Sequence, residues 1–287
     1  MSKHVLGRCV VTAALCATGA AQALDTLPGD ALAPPVGTTL VGVYLIHNGL
    51  SDLRVGGAVV PGPEARADVA VLRVLHPLKL GDAQINPQFA LPIGRVLGAG
   101  SLAGAPQAQG IGDLSVLASV MLKQDPSTRT SVYLMPGLVL PTGAYDPNKL
   151  SIGENRHKLV LQFGGQTALS SAWTIDGYAD VTWFGKDSAF AGGERRQRAL
   201  YQVQSYLRYA IKPSTEVSVG LRHYRGGENR VGGQRQNDSL SRTSVLLGAA
   251  TWLAPHTLLN MQVGADTSVN TGFKASPILE LRLARVF

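Results

Sequence analysis

The sequence predicts an all-β protein, a transmembrane, antiparallel, up-and-down β-barrel of about twelve strands. Three observations predict it. Apolar and polar residues alternate with period two in segments of ten to fifteen residues, a common length for barrel strands. The connections between those segments alternate between long and short, as in barrels with long external loops and short periplasmic turns. The chain also opens on an export signal.

Composition removes the competitors. Only 16% of residues are charged, so the chain is too apolar for a disordered protein. The 33 glycines follow no G-x-y period, which excludes collagen. Beyond the N-terminus no run of about twenty apolar residues occurs, which disfavours helical spans. A soluble β-sandwich has no reason to alternate its connections between long and short.

The export signal comes first. Lys3 and Arg8 form a positive region, Val10 begins a small apolar stretch, and Ala21-Gln22-Ala23 is a cleavage signal. Residues 1–23 therefore read as a signal peptide. Both cysteines, Cys9 and Cys16, fall inside it, and Leu15 before Cys16 argues against lipidation. The mature chain then has no disulfide and no thiolate metal site. Its net charge falls from +7 to +5 as Lys3 and Arg8 leave, and no basic run suggests a nucleic-acid partner. Residues 24–36 read as an N-terminal periplasmic segment, with Pro28, Pro34 and Pro35, able to enter the lumen from below. Residues 37–287 read as the barrel.

Alternating segments begin near Gly37, Arg66, Asn86, Gly112, Thr130 and His157. The clearest is Trp173–Phe184, where Trp173, Ile175, Ala179, Val181 and Trp183 oppose Thr174, Asp176, Tyr178, Asp180 and Thr182. In Leu200–Ile211, Tyr201, Val203, Leu207 and Tyr209 oppose Gln202, Gln204, Tyr206 and Arg208. In Glu216–Tyr224, Val217, Val219 and Leu221 oppose Glu216, Ser218 and Arg222. Further segments begin near Ser241, Thr257 and Ser276, which makes twelve. Residues 48–65, 99–111, 142–156, 185–197, 227–240 and 267–275 read as long loops. Residues 80–83, 124–129, 169–171, 212–215 and 254–256 read as short turns.

Trp173 and Trp183 lie on the apolar face, roughly 33 Å apart along a strand, or roughly 25 Å in height at a tilt of about 40°. That is the spacing of two aromatic girdles. Trp252 points to the lumen by parity, near the periplasmic end. Leu279, Leu281, Leu283 and Phe287 share one face of the closing segment, and the terminal Phe287 resembles the signal read by the barrel-assembly machinery. Arg285 departs from that pattern.

The inward face carries the candidate functional residues. They are Arg73, Lys158, Gln162, Asp176, Tyr178, Asp180, Gln204, Tyr206, Arg208, Glu216, Arg222, Tyr224, Arg242, Asn260, Gln262, Glu280 and Arg282. Charges in such number are very costly in a dry core unless every one is paired, whereas a lumen accommodates them. The interleaved tyrosines offer apolar contact and hydroxyl donors to an aromatic guest. The expected function is a channel for passive uptake of small hydrophobic or aromatic compounds. The alternatives are a barrel enzyme acting on lipid and a structural or adhesion barrel.

No nucleotide loop is present, and His47, His76, His157, His223 and His256 share no metal-ligand spacing, so no metal or cofactor is expected. Asp176 and Asp180 share a face but stand about 13 Å apart, too far for a glycosidase pair. His223, on the apolar face, is the candidate base of a lipid hydrolase. Ser205 and Ser244 read as pointing inward, which leaves it without a serine partner.

Gly110-Ile111-Gly112-Asp113-Leu114, Leu140-Pro141-Thr142-Gly143-Ala144-Tyr145 and Gly153-Glu154-Asn155 resemble, in order, short motifs of a bacterial outer-membrane family associated with the meta-pathway of phenol degradation. The C-terminal third is also similar to it. The resemblance implies a secreted outer-membrane barrel, transporter-like, that passes hydrophobic or aromatic compounds. It carries no catalytic or binding residues onto this chain.

Overall fold

A computed structural model describes residues 25–107 and 109–287; the expected signal peptide lies outside the described residues. The chain forms β1 (Leu40–Val55), β2 (Ala58–Val59), β3 (Pro63–Leu75), β4 (Leu78–Leu80), β5 (Ala83–Gly100), β6 (Gln109–Ile111), β7 (Leu114–Asp125) and β8 (Thr130–Leu140). There follow β9 (Lys158–Ala168), β10 (Trp173–Phe184), β11 (Arg195–Gln197), β12 (Leu200–Lys212), β13 (Thr215–Gly226), β14 (Asn229–Val231), β15 (Gln234–Arg235), β16 (Leu240–Ala254) and β17 (Thr257–Val286). No helix occurs among the described residues.

Eleven of these strands pair antiparallel in the order β1-β3-β5-β7-β8-β9-β10-β12-β13-β16-β17, and β17 returns to β1 to close a cylinder. The last element crosses the wall twice. Thr257 to Thr271 run antiparallel to β16, and Gly272 to Val286 run antiparallel to β1. The Asp266 carboxylate accepts the Ala275 N–H at 2.7 Å, and the Val286 N–H reaches the His256 carbonyl at 3.0 Å, as a folded-back hairpin requires. The chain thus passes through the wall twelve times, as the alternation predicts.

Two of the expected loops are strand instead. β1 continues to Val55, and residues 267–275 are strand throughout, where long loops were expected. Both stretches lie at the rim beyond the apolar belt. Their inward residues Leu50, Leu53, Val269 and Phe273 are buried, but register shifts at Asn48/Leu50, Ser51/Arg54 and opposite Ser241–Ser244 break the period-two pattern although the ladder hydrogen bonds continue. The connection expected at 99–111 carries β6, which pairs with β5, and the other long connections persist at 141–157, 185–199 and 227–239, the last two carrying the small sheet β11-β14-β15.

The outward face is apolar. Trp173, Trp183, Tyr201, Val203, Tyr209 and Leu221 are exposed there, and Trp173 packs on Tyr209 with ring centroids 4.8 Å apart. Leu279, Leu281, Leu283 and Phe287 are exposed as well, and the Arg285 guanidinium stacks 5.2 Å from the Phe287 ring centroid. The inward face is filled by tyrosines. Tyr133, Tyr178 and Tyr206 form a row with centroids 6.4 and 6.3 Å apart. Glycine on the next strand makes room for them: a Cβ on Gly164 would lie 2.6 Å from the Tyr178 ring, and one on Gly220 would lie 2.3 Å from Tyr206.

Candidate functional site: the occupied lumen

Residues 25–36 run inside the cylinder. They form no strand, so their backbone groups must find partners on the wall. The Gly29 N–H donates to Asp176 Oδ2 at 2.9 Å. Tyr206 donates to the Thr26 carbonyl at 2.9 Å, Ser131 to the Ala31 carbonyl at 2.6 Å, and Gln84 to the Pro34 carbonyl at 2.9 Å. Thr26, Leu27 and Ala31 are buried.

Two acids of this segment complete the charge pairing of the wall. Asp25 accepts from Arg222 at 2.9 Å, from Gln202 at 2.7 Å and from the Tyr224 hydroxyl at 2.6 Å. Arg222 also meets Glu280 at 3.1 Å. Asp30 accepts from Arg282 and, at 3.4 Å, from Arg73. Arg73 is further bonded to Tyr44 at 3.1 Å and Gln88 at 2.7 Å, and Arg282 to Asn260 at 2.9 Å. A third cluster lies on the wall itself, where Arg208 bridges Asp176 at 2.9 Å and Glu216 at 2.9 Å.

The structure turns the other sequence-derived candidates inward too. Tyr133 donates to Gln162 at 2.6 Å, Tyr206 to Gln204 at 3.0 Å, and Arg242 stacks 4.5 Å from the Tyr224 ring centroid. Tyr178, Asp180 and Gln262 are buried, with the Tyr178 hydroxyl and Asp180 Oδ2 making no hydrogen bond to a described residue. Lys158 sits higher, on Glu154 of the 141–157 connection. Sequence reading missed Asp25 and Asp30, because a segment outside any strand has no periodicity to show which way a side chain points.

The same three motifs that carry the family resemblance meet at the external rim. Asp113 accepts the N–H groups of Gly143 at 3.0 Å and Glu154 at 2.9 Å. Asp187 accepts from Tyr145 at 2.7 Å and from Asn155 at 3.0 Å. A Cβ on Gly143 would lie 2.6 Å from the Gly112 carbonyl carbon, so glycine is required for the close approach. This knot folds the 141–157 connection inward. Its Ile152 joins Leu27, Tyr44, Val69, Val71 and Ala90 in one buried apolar cluster, so a long connection and the N-terminal segment pack together.

Burial pushes the Asp113 carboxyl above its ordinary value, against the two N–H bonds that lower it. Glu154 is also desolvated, but Lys158, Arg156 and Arg195 outweigh the burial and hold it well below the usual carboxylate range.

Beneath the segment a cavity of about 610 Å³ opens at the end of the barrel that carries the short turns, lined by Arg129, Arg208, Lys212, Glu216, Trp252 and Leu258 among others. Trp252 faces this mouth, as its parity predicts. His223 is exposed on the outer wall and bonds Thr243 at 2.9 Å. Ser244 is buried inside, but Ser205 lies on the exposed outer face, contrary to the inward reading. It shares the face of Tyr201 and Val203, and its hydroxyl donates to the Asp176 carbonyl at 3.1 Å. No cluster able to hold a metal ion occurs among the described residues.

A crystallised outer-membrane channel, the COG4313 channel from Pseudomonas putida F1, is 32% identical, with a TM-score of 0.87 over 92% of this chain and 100% of that one. The translocator domain of the autotransporter NalP from Neisseria meningitidis is 12% identical, with a TM-score of 0.54 over 96% of this chain and 97% of that one, a likeness of fold alone. The transport unit of the autotransporter AIDA-I from Escherichia coli is 10% identical, also with a TM-score of 0.54, over 96% of this chain and 97% of that one. No curated protein matches the sequence. The family described as "Putative MetA-pathway of phenol degradation" matches residues 52–282, most of the chain, and the chain belongs to that family.

Proposed function

We propose that this chain is an outer-membrane channel for passive uptake of small hydrophobic or aromatic compounds, and that residues 25–36 are its gate. One observation carries the reading. The wall bears paired charges and tyrosines, and a segment without strand or helix, held by wall side chains on its carboxylates and its backbone, occupies the path between the two mouths. Moving that segment exposes Arg73, Arg222 and Arg282 beside Tyr44, Tyr206 and Tyr224. That combination suits a phenol or an aromatic acid, which offers an oxygen to a guanidinium and a ring to the tyrosines.

The channel reading accounts for the outer wall without an enzymatic role. His223 bonds Thr243, and the outward Ser205 donates to the Asp176 carbonyl rather than to His223. The partners that follow are outer-membrane lipid, the assembly machinery reading Phe287, and the permeating solute; nucleic acid is not among them.

The test is conductance in planar bilayers. Deleting residues 25–36 should convert a barrel with low or flickering conductance into a steadily open one. Liposomes holding the intact protein should also admit small phenols faster than empty liposomes. If the folded deletion variant passes neither ions nor phenols, the channel reading fails and a structural barrel takes its place.

A further inference from the structure

The outer wall is not uniform. On β10 the apolar outward positions run from Trp173 to Trp183, ten residues and roughly 33 Å of strand. On β1 they run only from Val41 to Leu45, roughly 13 Å, before His47 interrupts them. On β3 the interruption is Asp68, after Leu72 and Ala70, and on β5 it is Arg95, after Ile93. These three residues are neighbours in register, His47 opposite Asp68 and Asp68 opposite Arg95.

They form a cluster on the surface that lipid would cover. His47 Nδ1 lies 2.7 Å from Asp68 Oδ1, and the Nε atoms of Arg95 and Arg66 lie 3.5 and 3.9 Å from Asp68 Oδ2. One carboxylate thus faces two guanidinium groups, and the cluster keeps a positive excess even with His47 neutral. Neither Arg66 nor Arg95 makes a hydrogen bond to a described residue, and their side chains are 56% and 48% exposed. Charge on the lipid face of a barrel is costly near the bilayer midplane.

The wall is also hollowed there. A groove of about 940 Å³ runs across β17, β1, β3 and β5, with Leu45, Ile93, Met261, Leu279 and Leu281 on its sides and His47, Asp68 and Arg95 among its lining. The strands come unusually close beside the cluster, since a Cβ on Gly94 would lie 2.2 Å from the Asp68 carbonyl oxygen.

An apolar groove with a cationic cluster matches one class of ligand, an acyl lipid with an anionic head. The cluster lies on the side of the belt nearer the long connections, the outer leaflet by the usual barrel topology. We propose that this groove binds one molecule of the phosphorylated glycolipid of the outer leaflet, its acyl chains along Leu45, Leu279 and Leu281 and a phosphate on Arg66 and Arg95. The proposal rests on the outer-membrane placement but not on conduction. A guanidinium–phosphate bond replaces hydration that the narrowed belt withholds. Asp68 sets the spacing of the two arginines and competes with the phosphate for them.

Delipidated barrel in detergent is titrated with bisphosphorylated lipid A, with its dephosphorylated form and with phosphatidylglycerol, and bound copies are counted by native mass spectrometry. One lipid A should bind, about tenfold or more tighter than either other lipid. Arg66→Gln with Arg95→Gln should lower that affinity about tenfold, while Asp68→Asn should raise it. The electrophoretic shift of folded barrel on heating should be unchanged in both variants. Equal binding of the phosphorylated and dephosphorylated forms would overturn the site. So would an affinity that the double variant leaves unchanged, and equal binding of phosphatidylglycerol would overturn the glycolipid as its occupant. None of these outcomes bears on conductance, which tests the channel separately.

Discussion

The external rim and the lumen each hold a non-strand segment with buried carboxylates, but the carboxylates grip different things. At the rim, Asp113 binds the backbone N–H groups of Gly143 and Glu154. In the lumen, Asp25 and Asp30 bind the side chains of Arg222, Arg282 and Arg73. A backbone amide cannot turn away without moving its chain, and the glycine contacts of the rim leave no space for that movement. A guanidinium can exchange one anion for another with a change of rotamer. The Asp113 knot is therefore fixed with its chain, whereas Asp25 and Asp30 can yield their arginines to a competing anion, leaving the segment on its backbone bonds to Asp176, Tyr206, Ser131 and Gln84. The apolar cluster shared by Ile152 and Leu27 is where the fixed part meets the replaceable one.

The largest expected effect separates the two. Breaking a buried ion pair costs up to about 3–5 kcal/mol, less where the stranded cation keeps another partner. Arg222 retains Glu280 and Arg282 retains Asn260, so Asp25→Asn with Asp30→Asn should release the segment without unfolding the wall. Open probability in bilayers should rise at least about tenfold, since each 1.4 kcal/mol is a factor of about ten. No cysteine occurs among the described residues, so Leu27→Cys offers a second readout: in the double variant it should become reactive to an added thiol reagent. Unchanged openings and an unreactive Leu27→Cys would show that the acids do not hold the segment.

A smaller effect belongs to the rim. Asp113→Ala leaves two N–H groups without their acceptor, at about 1–3 kcal/mol each if they remain buried. The 141–157 connection should become sensitive to protease on intact barrels, with little change in how residues 25–36 are held. If the cut rim also opens the channel, Ile152 is as much a gate as the N-terminal segment.

The smallest effect is the pH response of the rim. Glu154 has a lowered value in the folded protein, so its contribution is present above its ordinary value of 4.5 and is lost as pH falls through the lower folded value. Protease sensitivity of residues 141–157 should therefore rise on acidification below about pH 4.5, and Glu154→Gln should abolish that rise while raising sensitivity at neutral pH. A pH response retained by Glu154→Gln would assign it to another acid.

The legibility of these parts in the sequence follows the same division. Where one face meets lipid and the other a polar lumen, period two fixes both boundaries and orientation, and Trp173–Phe184 is observed with its expected ends. Where register shifts interrupt the alternation, as near the β17 hairpin tip beside Thr271, the pattern breaks and strand reads as loop. Ser205 was misread because a lone small polar residue on an apolar face weighs against its own parity. The inward residues were legible as a set, but the order of their pairing was not, since Asp25 and Asp30 reach them from a segment without regular structure. The rim motifs were visible as short Gly-rich words, and only their meeting in space reveals that Asp113 ties the other two together.

One connection sets how far an opened channel can go. Thr39 and Phe287 exchange backbone hydrogen bonds at 3.0 and 2.9 Å, so the root of the lumen segment is stitched to the β1–β17 seam. A displaced segment cannot diffuse away. It returns at an effective concentration on the order of millimolar, as for any short flexible tether. A permeating anion must therefore outcompete a tethered rival rather than a free one, which makes each opening brief at low solute and longer as solute accumulates. On the gate reading proposed above, the dwell time of the open state should therefore lengthen with the concentration of the compound being taken up.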